Sequence, residues 1–300
     1  MRDGTDGTDG TGVEVHLVLD ARAEIGEGPV WDDHSGELVW VDIAGGLVHR
    51  TKPDGTDSVV DVGRHVGSVG LRHDGGLVLA TNDGFRLQDQ GSTETRLIAA
   101  VEADDEATRM NDGWCDPAGR FYAGTMGYSK APGLGALYRL DPDGTATKVV
   151  ADVTISNGLD WADDGKTMYY IDTPTQALDA FDWDRATGEL SNRRRVIDFP
   201  LADGAPDGLK IDADGHIWIA FWGGWSVRRF TPDGLLETEI RLPVSHVTSI
   251  AFGGEDLGDL YITSAWSELS PAERAAEPLA GALFRCRPGV VGRPSPRFDG

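Results

Sequence analysis

Four side chains carrying oxygen donors recur at one position of a repeat: Glu27, Asn111, Asn157 and Asp207. Each stands four residues before an apolar marker, namely Trp31, Cys115, Trp161 and Ile211. The same offset from Leu71 and Phe252 gives Gly67 and Thr248. Two carboxylates and two carboxamides at one depth make a set of hard oxygen donors suited to a divalent cation. A cation would also relieve the repulsion between the two acids. Taken singly, Asn157-Gly158, Asp207-Gly208 and Asn111-Asp112-Gly113 are ordinary turn sequences. Glu27-Gly28-Pro29 is not, because glutamate is a poor turn former and Pro29 imposes an extended backbone. Four hits at one register favour a shared site over independent turns.

The register exists because the chain repeats. The six apolar markers are followed by turn glycines Gly36, Gly75, Gly119, Gly165, Gly215 and Gly258, spaced 39, 44, 46, 50 and 43 residues apart. After each glycine comes a short run such as Leu38-Val39-Trp40-Val41 or Ile217-Trp218-Ile219-Ala220, rich in β-branched and aromatic residues and too short for a helix. Third runs end at turns such as Pro142-Asp143-Gly144 and Pro232-Asp233-Gly234, where proline presets the backbone and glycine accepts positive φ. A fourth, more polar run such as Leu236-Glu237-Thr238-Glu239-Ile240 suits an outer, solvent-facing strand. Units of this size, all strand and turn, predict an all-β six-bladed propeller of four-stranded antiparallel blades. The sixth unit lacks its fourth strand, whereas a spare strand at residues 13–19 precedes the first unit. That N-terminal strand is expected to complete the last blade and close the ring, and the Pro- and Gly-rich chain end is expected to form no strand.

All six register positions then fall just before the innermost strand of a blade and ring one mouth of the central channel. Residues 1–12, rich in Gly, Asp and Thr, read as a disordered tail, and 13–300 as a single propeller domain. With 50 acidic against 27 basic residues and a net charge of −23, the chain lacks the positive field that binds nucleic acid or anionic membranes. No apolar stretch is long enough for a membrane span, and Cys115 and Cys286 suggest no disulfide framework. A cytoplasmic location is expected. The seven histidines show no pairing at metal spacing, which argues against a histidine zinc site. Asp160 and Asp212 are expected to tie neighbouring blades. The acidic stretch 102–108 reads as a flap over the mouth or as a solvated loop.

Several segments together carry a resemblance. Ile25-Gly26-Glu27-Gly28-Pro29-Val30-Trp31, Arg109-Met110-Asn111-Asp112-Gly113, Gly124-Thr125-Met126, Ser156-Asn157-Gly158-Leu159-Asp160-Trp161 and Pro206-Asp207-Gly208-Leu209 resemble signature segments of the regucalcin (senescence marker protein) and gluconolactonase family. They occur in the same order and spacing across nearly the whole chain. The resemblance implies a six-bladed propeller that binds one divalent cation (Ca²⁺, Zn²⁺, Mn²⁺ or Mg²⁺) and hydrolyses sugar lactones. It implies Glu27, Asn157 and Asp207 as ligands, and it moves Asn111, with Arg109, to the substrate side. Where animal members have a substrate-contacting glutamate, this chain has Ser129. Asp207 is the candidate general base, or else a ligand only. The expected partner is a small-molecule sugar lactone, and the expected state a monomer or weak homo-oligomer. The alternatives are a hydrolase of a different lactone or ester, and a non-enzymatic propeller that binds calcium or serves as an interaction platform.

Overall fold

Short apolar runs separated by tight turns can pair only with their sequence neighbours, so each repeat folds as a four-stranded meander. In a computed structural model, which describes residues 12–300, six such antiparallel sheets surround one axis as the blades of a β-propeller. The first blade runs outward through Gly26–Asp32, Glu37–Asp42, Leu47–Thr51 and Asp57–Asp61. The other innermost strands are Val66–Arg72, Thr108–Cys115, Ser156–Trp161, Ala205–Ile211 and Val247–Gly253. Inner strands are buried along almost their whole length, whereas outer strands such as Asp57–Asp61 alternate between partial and full exposure. The tail expected at residues 1–12 lies, all but Gly12, outside the described residues.

Ring closure is as expected. Val15–Leu19 pairs antiparallel with Leu283–Cys286 and forms the outer strand of the sixth blade. At the inner edge the Thr248 hydroxyl donates to the Gly26 carbonyl at 2.6 Å, fastening blade 6 to blade 1. Apolar side chains fill the wedges between blades. Trp161, only 1% exposed, packs against Tyr122 of blade 3 at 5.0 Å between ring centroids and against Trp183 at 5.8 Å. Burying an aromatic ring of that size contributes about 3 kcal/mol.

The chain end departs from expectation. Arg297–Phe298 forms a short parallel strand on the inner edge of blade 2, opposite Leu71 and Arg72. The segment leading to it crosses the channel end remote from the register residues. The Ala213 amide donates to the Val291 carbonyl at 3.0 Å, and the Gly292 amide to the Leu257 carbonyl at 2.8 Å. Arg293 donates to Asp160 at 3.1 Å, Arg297 to Asp32 at 2.7 Å, and the Asp299 amide to the Gly119 carbonyl at 3.0 Å. All six blades therefore contact one strap. The pairing escaped the sequence because it rests on backbone groups and two arginines rather than on a β-forming run.

Asp160 ties blades as expected, accepting from the Ile211 amide of blade 5 at 2.9 Å. Asp212 does not. It serves its own blade, accepting from the His216 amide, Trp218 Nε1 and Arg229 Nε at 2.9, 2.9 and 2.8 Å.

Candidate active site

Each inner strand carries a β-bulge where the register residue sits. Pairing with the second strand slips between Glu27 and Val30, Val66 and Ser68, Met110 and Gly113, Ser156 and Leu159, Pro206 and Leu209, and Val247 and Ile250. A bulge inserts one residue and re-aims a side chain. Repeated around the ring, it brings Glu27, Asn111, Asn157 and Asp207 together on one cavity of about 210 Å³. Asn157-Gly158 and Asp207-Gly208 are thus not turns but bulged strand. Their glycines permit close approach of neighbouring blades, since a Cβ on Gly158 would lie 2.6 Å from the Asp207 carbonyl oxygen. Gly67 has the same purpose toward Met110 and Asn111, with a Cβ falling 2.5 Å from their backbone.

A chain of hydrogen bonds orients the amides. Arg109 Nη1 donates to Asn111 Oδ1 at 2.7 Å and to the Met110 carbonyl at 3.0 Å. Asn111 Nδ2 donates to Asn157 Oδ1 at 2.9 Å and to the Ser156 carbonyl at 2.8 Å. Asn157 Nδ2 donates to Thr173 Oγ1 at 2.7 Å, and that hydroxyl donates onward to the Pro206 carbonyl at 2.8 Å. The Thr173 proton is thereby committed, so Asn157 must present Nδ2 to Thr173 and keep Oδ1 toward Asn111. One lone pair of Oδ1 takes Asn111; the other is available to a cation.

The acids are held at high energy. Burial, reinforced by the nearby Asp112 charge, pushes the Glu27 carboxyl up to about 8, although the Gly28 amide donates to it at 2.7 Å. Burial and the charge of Glu27 raise Asp207 well above the usual carboxylate range. Asp207 Oδ1 is buried and receives no hydrogen bond from a neutral or cationic donor, and the approach of the Glu27 carboxyl adds to the upward shift. An orphaned carboxylate oxygen beside a second acid is costly unless a proton or cation takes it. Among the described residues no group of three or more His, Cys, Asp and Glu side chains converges as a metal cluster. The set here has two acids completed by the Asn157 carboxamide, a donor set that fits a hard divalent ion.

The chain matches the model of the SMP-30/Gluconolactonase/LRE-like region over residues 25–266. It is 39% identical to regucalcin of Oryctolagus cuniculus over 300 residues, covering 96% of this chain and 99% of that protein. A Bacillus subtilis (strain 168) protein provisionally named sugar lactone lactonase YvrE is 39% identical over 274 residues, or 91% of this chain and 94% of that one. The chain belongs to the SMP-30/gluconolactonase/LRE-like family. Its fold superimposes on a crystal structure of regucalcin from Agrobacterium tumefaciens strain C58, described as a calcium-binding protein. The TM-score is 0.90 at 31% identity, with 95% of this chain and 97% of that one covered.

In this family member the remaining expected residues divide. Arg109 lies on the cavity with Asn111. Ser129 is exposed, its hydroxyl 3.4 Å from the Ala131 amide, and the wall beside it is formed by Lys130. The acidic stretch 102–108 stays off the cavity. Glu102 turns inward to accept from Tyr138 at 2.8 Å and Thr125 at 3.2 Å. His246 reaches the mouth only indirectly, stacking at 4.0 Å on Trp222, which does line the cavity. Sequence reasoning missed Thr173, Trp222, Glu268 and Lys210. Lys210 is 6% exposed, and burial lowers its pKa. Its Nζ donates to the Leu209 carbonyl at 2.8 Å and sits 3.9 Å over the Trp114 ring, where it offsets Asp112, Asp160 and Glu27. A lysine within the apolar run Leu209-Lys210-Ile211 was the available signal, because buried lysines are rare unless paired.

Proposed function

We propose that this protein is a divalent-cation-dependent lactonase that opens a sugar lactone, an aldonolactone, to its sugar acid. The observation that carries the reading is the meeting of Glu27, Asn157 and Asp207, with Asp207 Oδ1 unpartnered by any donor, in a cavity that also holds the partly buried Arg109. The three side chains would hold the cation. When bound, it supplies Lewis acidity toward the lactone carbonyl and lowers the pKa of nearby water.

The protein's own groups do the rest. Asp207 accepts the proton of the attacking water as its oxygen bonds to the carbonyl carbon. Arg109, fixed by Asn111 and the Met110 carbonyl, faces the carbonyl side and donates to the oxyanion that develops. When the ring C–O bond breaks, the same proton returns from Asp207 to the departing alkoxide, which becomes the ring-opened hydroxyl. Asn111 holds Arg109 and Asn157 in register throughout.

Calcium binding without turnover is a second reading, favoured by the description of the Agrobacterium relative as a calcium-binding protein. A pH-stat assay over a lactone panel separates the two. Cation-stripped protein is supplied in turn with Ca²⁺, Mg²⁺, Mn²⁺ or Zn²⁺. Turnover restored by a cation, and abolished by Asp207→Ala, is expected. Stoichiometric cation binding with no turnover on any lactone would favour the second reading, and full activity in Asp207→Ala would overturn the mechanism.

A further inference from the structure

Two charged side chains that the mechanism leaves unused meet across the cavity mouth. Lys130 projects from the loop after the second strand of blade 3, and Glu268 from the loop after the second strand of blade 6, on the opposite side of the ring. Their side chains form an ion pair, and both line the cavity that holds Glu27, Arg109, Asn157 and Asp207. Both are about half exposed, at 46% and 50%.

The loops beneath them are fixed. The Trp266 and Ser267 amides both donate to the Glu24 carbonyl, at 3.2 and 3.0 Å, and Trp266 Nε1 donates to the Arg22 carbonyl at 3.0 Å. On the other side the Tyr128 amide donates to the Ala107 carbonyl at 2.9 Å, and the Tyr128 hydroxyl pairs with His65 Nδ1 at 2.8 Å. Lys130 and Glu268 themselves adopt positive φ, +55° and +68°, a conformation uncommon for residues other than glycine.

We infer that Lys130 and Glu268 are a specificity pair that reads the hydroxyls of a neutral, polyhydroxylated lactone at the end remote from its carbonyl. This rests on the lactonase reading. The pair is neutral as a whole and offers an ammonium donor beside a carboxylate acceptor. Adjacent sugar hydroxyls are each donor and acceptor, so they complement both groups without a counter-charge. A lactone bare of hydroxyls gains nothing from the pair, and an anionic substituent must compete with Glu268 for Lys130. Charge-assisted hydrogen bonds on fixed loops give selectivity because little ordering remains to be done on binding.

The test compares glucono-δ-lactone with δ-valerolactone on wild type, Lys130→Ala, Glu268→Gln and Glu268→Ala, with cation saturating. Each variant is expected to lose roughly 10- to 100-fold in kcat/KM on the polyol lactone, mostly through KM. On δ-valerolactone it is expected to change less than about twofold, and the thermal midpoint to stay near wild type, as for an exposed pair. Equal loss on both lactones, or no loss on either, overturns the pair's role and leaves the lactonase reading standing. A wild-type protein inert toward every lactone overturns both.

Discussion

The metal-free protein should be destabilised by raising the pH, and Glu27→Gln should remove much of that dependence. Glu27 has an ordinary value of 4.5 and is pushed up to about 8 by burial and Asp112. Because the folded value lies above the unfolded one, the folded state binds the extra proton across that window. Stability therefore falls as pH rises from 4.5 toward 8, the reverse of the usual salt-bridged carboxylate. At about 1.4 kcal/mol per unit, the loss between pH 5 and pH 8 is roughly 4 kcal/mol. For a chain of this length that corresponds to roughly 6 °C in thermal midpoint. Glutamine keeps the shape, cannot titrate and leaves Asp207 without its charged neighbour, so the variant should show a correspondingly shallower slope. Saturating cation should flatten the wild-type trend, because the acids are then deprotonated in the folded state as they already are in the unfolded chain. The assay is thermal unfolding by circular dichroism at pH 5, 6, 7 and 8, in chelator and in excess Ca²⁺. Parallel slopes for wild type and Glu27→Gln in chelator would refute the electrostatic account of the site.

Further outcomes follow from single contacts. Asp207→Ala should abolish stoichiometric cation binding in calorimetry, while the cation-free protein is stabilised by losing a buried, unsatisfied acid. Thr173→Val removes the acceptor that holds Asn157 Nδ2, and should weaken cation affinity roughly 10- to 100-fold with the fold intact. Arg297→Ala strips Asp32, 4% exposed, of its principal cation at the far end of the channel. It should cost about 3 kcal/mol in chemical denaturation and leave cation affinity unchanged, which would separate the strap's structural role from the site.

The blades were legible because strand-and-turn periodicity is local chemistry: apolar runs, Pro-Asp-Gly stops and a displaced first strand are all visible in one dimension. The donor set was legible for a related reason. A ring of equivalent strands converts a fixed offset in sequence into a fixed height in space, so Glu27, Asn157 and Asp207 share a register before they share a cavity. What the register could not resolve was direction. Whether a residue at the strand's start faces the channel or a neighbouring blade depends on the bulge, and a bulge depends on how two strands pair. Gly67 and Thr248 occupy the same offset, yet one allows close packing against Asn111 and the other fastens the ring through the Gly26 carbonyl. The residues that were missed share a different property. Thr173, Trp222 and Glu268 lie beyond the inner strands, in a turn, at a strand end and in a loop, where no repeat fixes their height. Their roles come from pairs 16, 24 and 138 positions apart in the chain, Thr173 with Asn157, Trp222 with His246 and Glu268 with Lys130. On the proposed reading, the symmetric part of the architecture supplies the donors for a cation, and the asymmetric loops select the substrate. Chemistry common to relatives should accordingly map to the register, and differences in substrate to the cross-mouth contacts.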